Sequence, residues 1–214
     1  MSVDWLIIAP HVDDAELGMG GYIARAVEEN PDIKITVLVM CLSDYTNRDG
    51  NVVRASERHE EACRAAQVLG VQYINLEFDE NRLPLVDYGY LVSKVELAVR
   101  NLQPKELFIP LPSFNQDHRV THDVCVTACR NVIAPEVWAY EYFGNNWGEG
   151  YQAPQWGKCL VRLEQRHIDQ KTRALKCHES QNLNPALWEV QAQARGIEAD
   201  VQYAEAFYLM RWVY

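Results

Sequence analysis

Short apolar runs alternate along the first two thirds of the chain with longer stretches in which apolar positions recur every three or four residues. Trp5-Leu6-Ile7-Ile8-Ala9 is an unbroken apolar run, suited to a buried parallel strand, and Pro10 ends it. A helix is predicted over about Gly20 to Glu29, with Asn30-Pro31-Asp32 as its stop. Ile33 to Leu42 reads as the second strand and Ser43 to Val53 as a polar loop beyond it. Ala55 to Leu69 has Ala62, Ala65, Ala66 and Leu69 on one face, and Gly70 follows as a stop, so this segment is helical. Tyr73 to Leu76 is a short strand, Phe78 to Arg82 a second polar loop, Tyr88 to Leu102 a helix and Glu106 to Ile109 a strand closed by Pro110 and Pro112. A helix from Arg119 to about Cys129 ends the series. This alternation predicts an α/β fold: a mostly parallel central sheet flanked by helices. Sites in such sheets gather beyond the carboxyl ends of the strands, which puts the polar segments 11–16, 43–54, 79–82 and 113–118 on one rim.

The last third is less regular. Val137 to Tyr142 reads as a strand. Phe143 to Lys158, rich in Gly, Asn and Trp, reads as a long loop able to close a pocket. Cys159 to Leu163 is expected as an outer strand and Tyr203 to Trp212 as a closing one. Ile168 to Gln181 and Ala186 to Ala194 read as helices split by Asn182-Leu183-Asn184-Pro185. One domain over 1–214 is expected, with a sheet core over 1–135 carrying the site and the pocket-closing loop, outer strand and helices over 136–214.

Composition narrows the partners. A formal net charge of -10 over 214 residues argues against a nucleic-acid backbone, which wants a basic surface. No apolar run reaches the length of a membrane span. The six cysteines form no CxxC pair and read as packed thiols, and no basic, apolar leader opens the chain. A reducing, cytoplasmic setting is the expectation.

Two rim segments carry candidate chemistry. In His11-Val12-Asp13-Asp14-Ala15-Glu16, an imidazole and a carboxylate three residues apart can converge on one ion of borderline hardness, with Asp13 beside it to take a proton from water. The competing reading makes these carboxylates caps of the following helix. In Asn115-Gln116-Asp117-His118, His118 can supply a third ligand and Asp117 can orient an imidazole. His122, one helical turn on, is a weaker fourth candidate. Gly18-Met19-Gly20-Gly21 follows a strand, as a phosphate-binding turn would, but does not match GxGxxG.

Taken together the segments resemble the LmbE-like zinc deacetylases, the family of N-acetylglucosaminyl-phosphatidylinositol de-N-acetylase and the deacetylases of mycothiol and bacillithiol synthesis. Their His-Pro-Asp-Asp-x-Glu is similar to His11-Val12-Asp13-Asp14-Ala15-Glu16 followed by Gly20-Gly21, and their later His/Asn-x-Asp-His to Asn115-Gln116-Asp117-His118. The similarity continues through Arg58-His59-Glu60-Glu61-Ala62, Phe78-Asp79, Lys171, Ser180-Gln181 and Tyr203-Ala204-Glu205-Ala206-Phe207. The resemblance implies a Rossmann-like fold, one Zn²⁺ on His11, Asp14 and His118, Asp13 as general base, and Arg58 near the substrate. It also implies a small N-acetylated sugar or sugar conjugate as substrate; a homo-oligomer is compatible with it. Val12 stands where Pro is usual. Asn115 stands where several members carry a proton-transferring histidine; Asn can only hold a hydrogen bond, which leaves the proton to Asp13, or to His178 or His59 if either lies in reach.

Overall fold

A computed structural model describes residues 2–46, 50–130, 136–141 and 157–212. Its frame is a seven-stranded sheet built from β1 (Trp5–Ala9), β2 (Ile35–Cys41), β5 (Gln72–Phe78), β6 (Glu106–Pro110), β7 (Glu136–Tyr140), β8 (Lys158–Leu163) and β9 (Tyr203–Trp212), in the order β5-β2-β1-β6-β7-β9-β8. The first five in that order are parallel; β9 runs antiparallel to both β7 and β8. Two short strands, β3 (Tyr45–Thr46) and β4 (Val52–Val53), pair as a hairpin inside the segment expected to be a plain loop.

The period-two alternation of the strands sorts the core onto two faces. Leu6, Ile8, Leu38 and Met40 pack with Leu91 and Val95 of α3 (Tyr88–Leu102) and Val124 of α4 (Gln116–Ala128). Trp5, Ile7, Ala9, Val37 and Val39 pack with Ile23 of α1 (Asp14–Glu29) and with Ala62, Ala65 and Leu69 of α2 (Ala55–Leu69). Five-residue β1 is buried at every position because both faces are covered. The chain leaves β1 toward β2 and β5 on one side and returns to β6 on the other, so β1 and β6 flank the point where strand order reverses. Crevices form at such a point, beyond the carboxyl ends of the two strands.

Four helices differ at their boundaries from the sequence reading. α1 begins at Asp14, and what looked like its start near Gly20 is a break: Met19, at φ -145° and ψ 19°, is not helical and divides α1 in two. α4 begins at Gln116, because the Asn115 side chain accepts from the Asp117 amide at 2.8 Å and starts the helix there. The expected helix 168–181 is α5 (Gln165–Leu175) followed by a separate 3-10 turn at Glu179–Gln181; His178, at φ -86° and ψ 61°, lies between them. α6 (Pro185–Glu198) runs longer at both ends than expected. The expected pocket-closing loop, apart from Gly157 and Lys158, lies outside the described residues.

The first piece of α1 is seated by Tyr140, which is fully buried and donates its hydroxyl to the Ile8 carbonyl at 3.0 Å. Its ring lies where a side chain on Gly18 would go: a Cβ there would stand 2.3 Å from Tyr140 Cδ2. Gly18→Ala is therefore expected to destabilise the fold by about 1–3 kcal/mol, read as a lower urea midpoint with an unchanged m-value.

Candidate metal centre

β1 delivers His11, Asp13 and Asp14 to the crevice, and the start of α4, just beyond β6, delivers Asp117 and His118. The His11 amide donates to Asp14 Oδ2 at 2.9 Å, which folds the turn back on itself. The same oxygen lies 3.2 Å from His11 Nδ1 and 3.2 Å from His118 Nε2. These three side chains bring one ligand atom each to within 4.8 Å of one another. Asp14 and His118 are buried and His11 nearly so. Two imidazole nitrogens and one carboxylate oxygen are a donor set for a divalent ion with an open position, so the residues present fit such an ion.

The second nitrogen of His11 is held from behind. Nε2 lies 3.1 Å from Asp117 Oδ2, and that carboxylate also accepts from the backbone of Asn81 at 2.5 Å and Leu83 at 3.3 Å. Asn81 takes a left-handed conformation, φ 60°, to turn its N–H there. This is the carboxylate–imidazole arrangement that fixes a metal ligand's tautomer. His11, Cys41 and Asp117 also converge. There, however, Asp117 already serves His11 and two backbone amides, and burial, then the Asp117 charge, pushes the metal-free Cys41 thiol far above its usual range.

Charge in the crevice is steeply divided. Burial alone would raise the Asp14 pKa, but His118 and His11 hold it far below the ordinary carboxylate range. Burial would lower His11; hydrogen bonds to Asp117 and Asp14 outweigh it and carry the metal-free imidazole up to about 10. Asp13 moves the other way: burial, then the neighbouring Asp14 charge, pushes it up to about 6. Asp13 occupies the position before α1 yet makes no capping hydrogen bond with its side chain, so the capping reading does not describe it.

The remaining candidates fall in different places. Arg58 is buried; it donates to Glu80 and to the Ser43 carbonyl, and stacks 4.8 Å above the Tyr45 ring. It is among the positive groups acting on Asp13. The Asn115 carbonyl oxygen accepts from the Asp117 amide, which orients the side chain at the start of α4. His122 donates from Nδ1 to the Pro110 carbonyl at 2.8 Å and is not grouped with the metal-ligand cluster. His59 is exposed on α2 beside Cys63 and Asn75.

His178 is buried, with Nε2 3.7 Å from Glu16 Oε1. Burial would lower its pKa; Glu16, Asp13 and Glu61 together raise it. The 3-10 turn that follows it is fastened to α2 by Glu61, which accepts from the Ser180 amide at 2.8 Å and its hydroxyl at 2.6 Å. Glu80 and the His178–Glu16 contact went unassigned in the sequence. Glu80 lies in a polar loop that the strand pattern placed on the rim, the one signal that pointed toward it.

Comparison with known proteins places these residues in context. The family model PIG-L, GlcNAc-PI de-N-acetylase, matches residues 6–129, which include all three converging ligands and Asp13. YaiS of Escherichia coli K12, described as an uncharacterized deacetylase, is 31% identical over 64% of this chain and 72% of its own length. Diacetylchitobiose deacetylase of Thermococcus kodakarensis is 32% identical over 53% of this chain and 44% of its own. Among solved structures, the conserved protein TT1542 from Thermus thermophilus superposes with a TM-score of 0.79 at 26% identity, over 99% of this chain and 96% of that one.

Proposed function

The chain belongs to the PIG-L family of GlcNAc-PI de-N-acetylases, and from that premise we propose that it is a zinc-dependent hydrolase that removes an N-acetyl group from an amino sugar or sugar conjugate. The observation that supports this reading best is the convergence of His11, Asp14 and His118 with a buried, uncapped Asp13 carboxylate beside them. Zn²⁺ suits the donor set, and when bound supplies a Lewis acid that polarises an amide carbonyl and acidifies water.

The chain's own residues do the rest. Asp13 takes one proton from the attacking water as its oxygen bonds to the acetyl carbon. As the carbon–nitrogen bond breaks, Asp13 returns that proton to the leaving nitrogen, because Asn115 has none to give. The products are acetate and a free amine. Asp117 keeps His11 in the tautomer that turns Nδ1 inward. Arg58, fixed by Glu80 and Tyr45, supplies a cationic wall against the oxygen-rich substrate.

The similarity to a diacetylchitobiose deacetylase supports a sugar amide. The test is acetate release by zinc-loaded protein on a panel of N-acetylated amino sugars, free, phosphorylated and aglycone-linked, with non-sugar acetamides beside them. Release from the sugars at rates well above the acetamides is expected. Release from the acetamides alone would overturn the substrate class, and no release from any member by zinc-loaded protein would overturn the reaction.

A further inference from the structure

α1 is two helices end to end, and the first of them carries Asp14 and Glu16. The carbonyl of Leu17, near the end of that piece, accepts from Lys171 Nζ at 2.8 Å. At the start of the second piece, the amides of Gly21 and Tyr22 donate to Glu205 Oε1 at 3.0 Å and Oε2 at 2.7 Å. Lys171 and Glu205 join each other at 2.7 Å, both side chains 5% exposed. A cation therefore closes the carboxyl end of one helix and an anion the amino end of the next, each matched to the local dipole.

Gly20 and Gly21 lie against the same pair, Gly21 with Leu163 as well. A Cβ on Gly20 would stand 3.0 Å from Lys171 Cγ, and one on Gly21 3.0 Å from Glu205 Oε1 and 2.5 Å from Leu163 Cδ1. The helix start that in a nucleotide-binding turn would hold phosphate is filled here by the chain's own carboxylate. Stability alone is a weak reason for such a pair, since a buried ion pair is often no better than an apolar one of equal volume. What the pair does touch is the end of one piece and the start of the next, on either side of Met19, and the first piece carries Asp14.

We infer that Lys171 and Glu205 are positioning residues for the metal-binding turn, setting metal affinity from α5 and β9, outside the segment 6–129 that matches the family. The inference rests on the reading of His11, Asp14 and His118 as metal ligands. The test is zinc affinity of the full-length protein by competition with a chromogenic chelator, with no substrate present. K171M/E205Q removes both charges and leaves one acceptor oxygen for the two amides and no donor for the Leu17 carbonyl. Because neither charge is left buried alone, the variant is expected to stay folded with chelator, at a modestly lower thermal midpoint, while zinc affinity falls by about tenfold or more, as for residues that orient metal ligands. K171Q/E205Q also leaves no charge buried alone and keeps a donor in place of the ammonium; it is expected to lose at least about threefold on the same grounds, and it carries the test if the first double variant does not fold. A folded variant that binds zinc as tightly as the wild type would overturn the inference and leave the metal centre standing. A wild type that takes up no zinc would sink both, and one that binds zinc without releasing acetate would leave this measurement intact.

Discussion

Asp13→Asn is expected to lower kcat by about 10²–10⁴-fold while zinc content and KM stay close to wild type, the range typical for loss of a positioned general base. The substitution is nearly isosteric and spares the three converging ligands, so metal uptake has no reason to change. Asn can neither take the proton of the attacking water nor hand it on. The same substitution has a second, opposite signature. Burial and the Asp14 charge raise Asp13 from an ordinary value of 3.8 to about 6 in the metal-free protein. A carboxyl whose folded pKa is raised binds more protons in the native state than in the unfolded one across that interval. Its contribution to stability therefore falls as pH rises from about 4 to 6, and above 6 the ionised group is a standing penalty. Asn does not titrate, so the metal-free D13N protein is expected to melt higher than the wild type at pH 7, with the difference vanishing below pH 4. A base lost and a fold stabilised by one substitution is the pattern of a side chain kept for chemistry rather than packing. A D13N enzyme with near-normal kcat would remove Asp13 from the mechanism.

Much of this site was readable from the chain alone, and the unreadable parts share a cause. α2 and α3 fell at their true ends because local chemistry marks them: Gly70 takes the left-handed conformation after α2, and Asp87 caps α3 by accepting from the Tyr90 amide. β1 and β6 were legible as apolar runs closed by proline. The first turns of α1 and α4 were not, since His11-Val12-Asp13-Asp14 and Asn115-Gln116-Asp117-His118 are polar like a loop; α4 starts on a local cap, Asn115, while α1 starts with no side-chain cap at Asp13. Gly20-Gly21 suggested a phosphate turn by composition; only tertiary structure shows that Glu205 fills it. Lys171, His178 and Glu205 reach residues 16–22 across more than 150 residues of chain, and nothing in the local pattern of α5 or β9 announces which carbonyl or amide each will meet. Strand ends thus fixed where ligands gather, while the groups that aim them came from the packing of the last third against the first.

His118→Ala separates holding the metal from using it. The side chain is buried and lies 3.2 Å from the Asp14 oxygen that also faces His11. Without it, only His11 and Asp14 remain in the cluster, two donors where a catalytic zinc site uses three. Zinc is expected to fall from stoichiometric to trace after dialysis against a weak chelator, and acetate release to fall with it, by about 10³-fold or more given that the metal supplies both the polarised carbonyl and the acidified water. The loss should not be recovered by Asp13, which is untouched, and that contrast is informative. D13N keeps zinc and loses turnover; H118A loses both. The Asp14 carboxylate, left with His11 as its neighbour, also loses part of what holds its pKa down, so H118A should be the less stable of the two in the metal-free state at pH 7. An H118A protein that retained stoichiometric zinc would move the metal off this cluster, and the adjacent His11–Cys41–Asp117 group would then be the next to mutate.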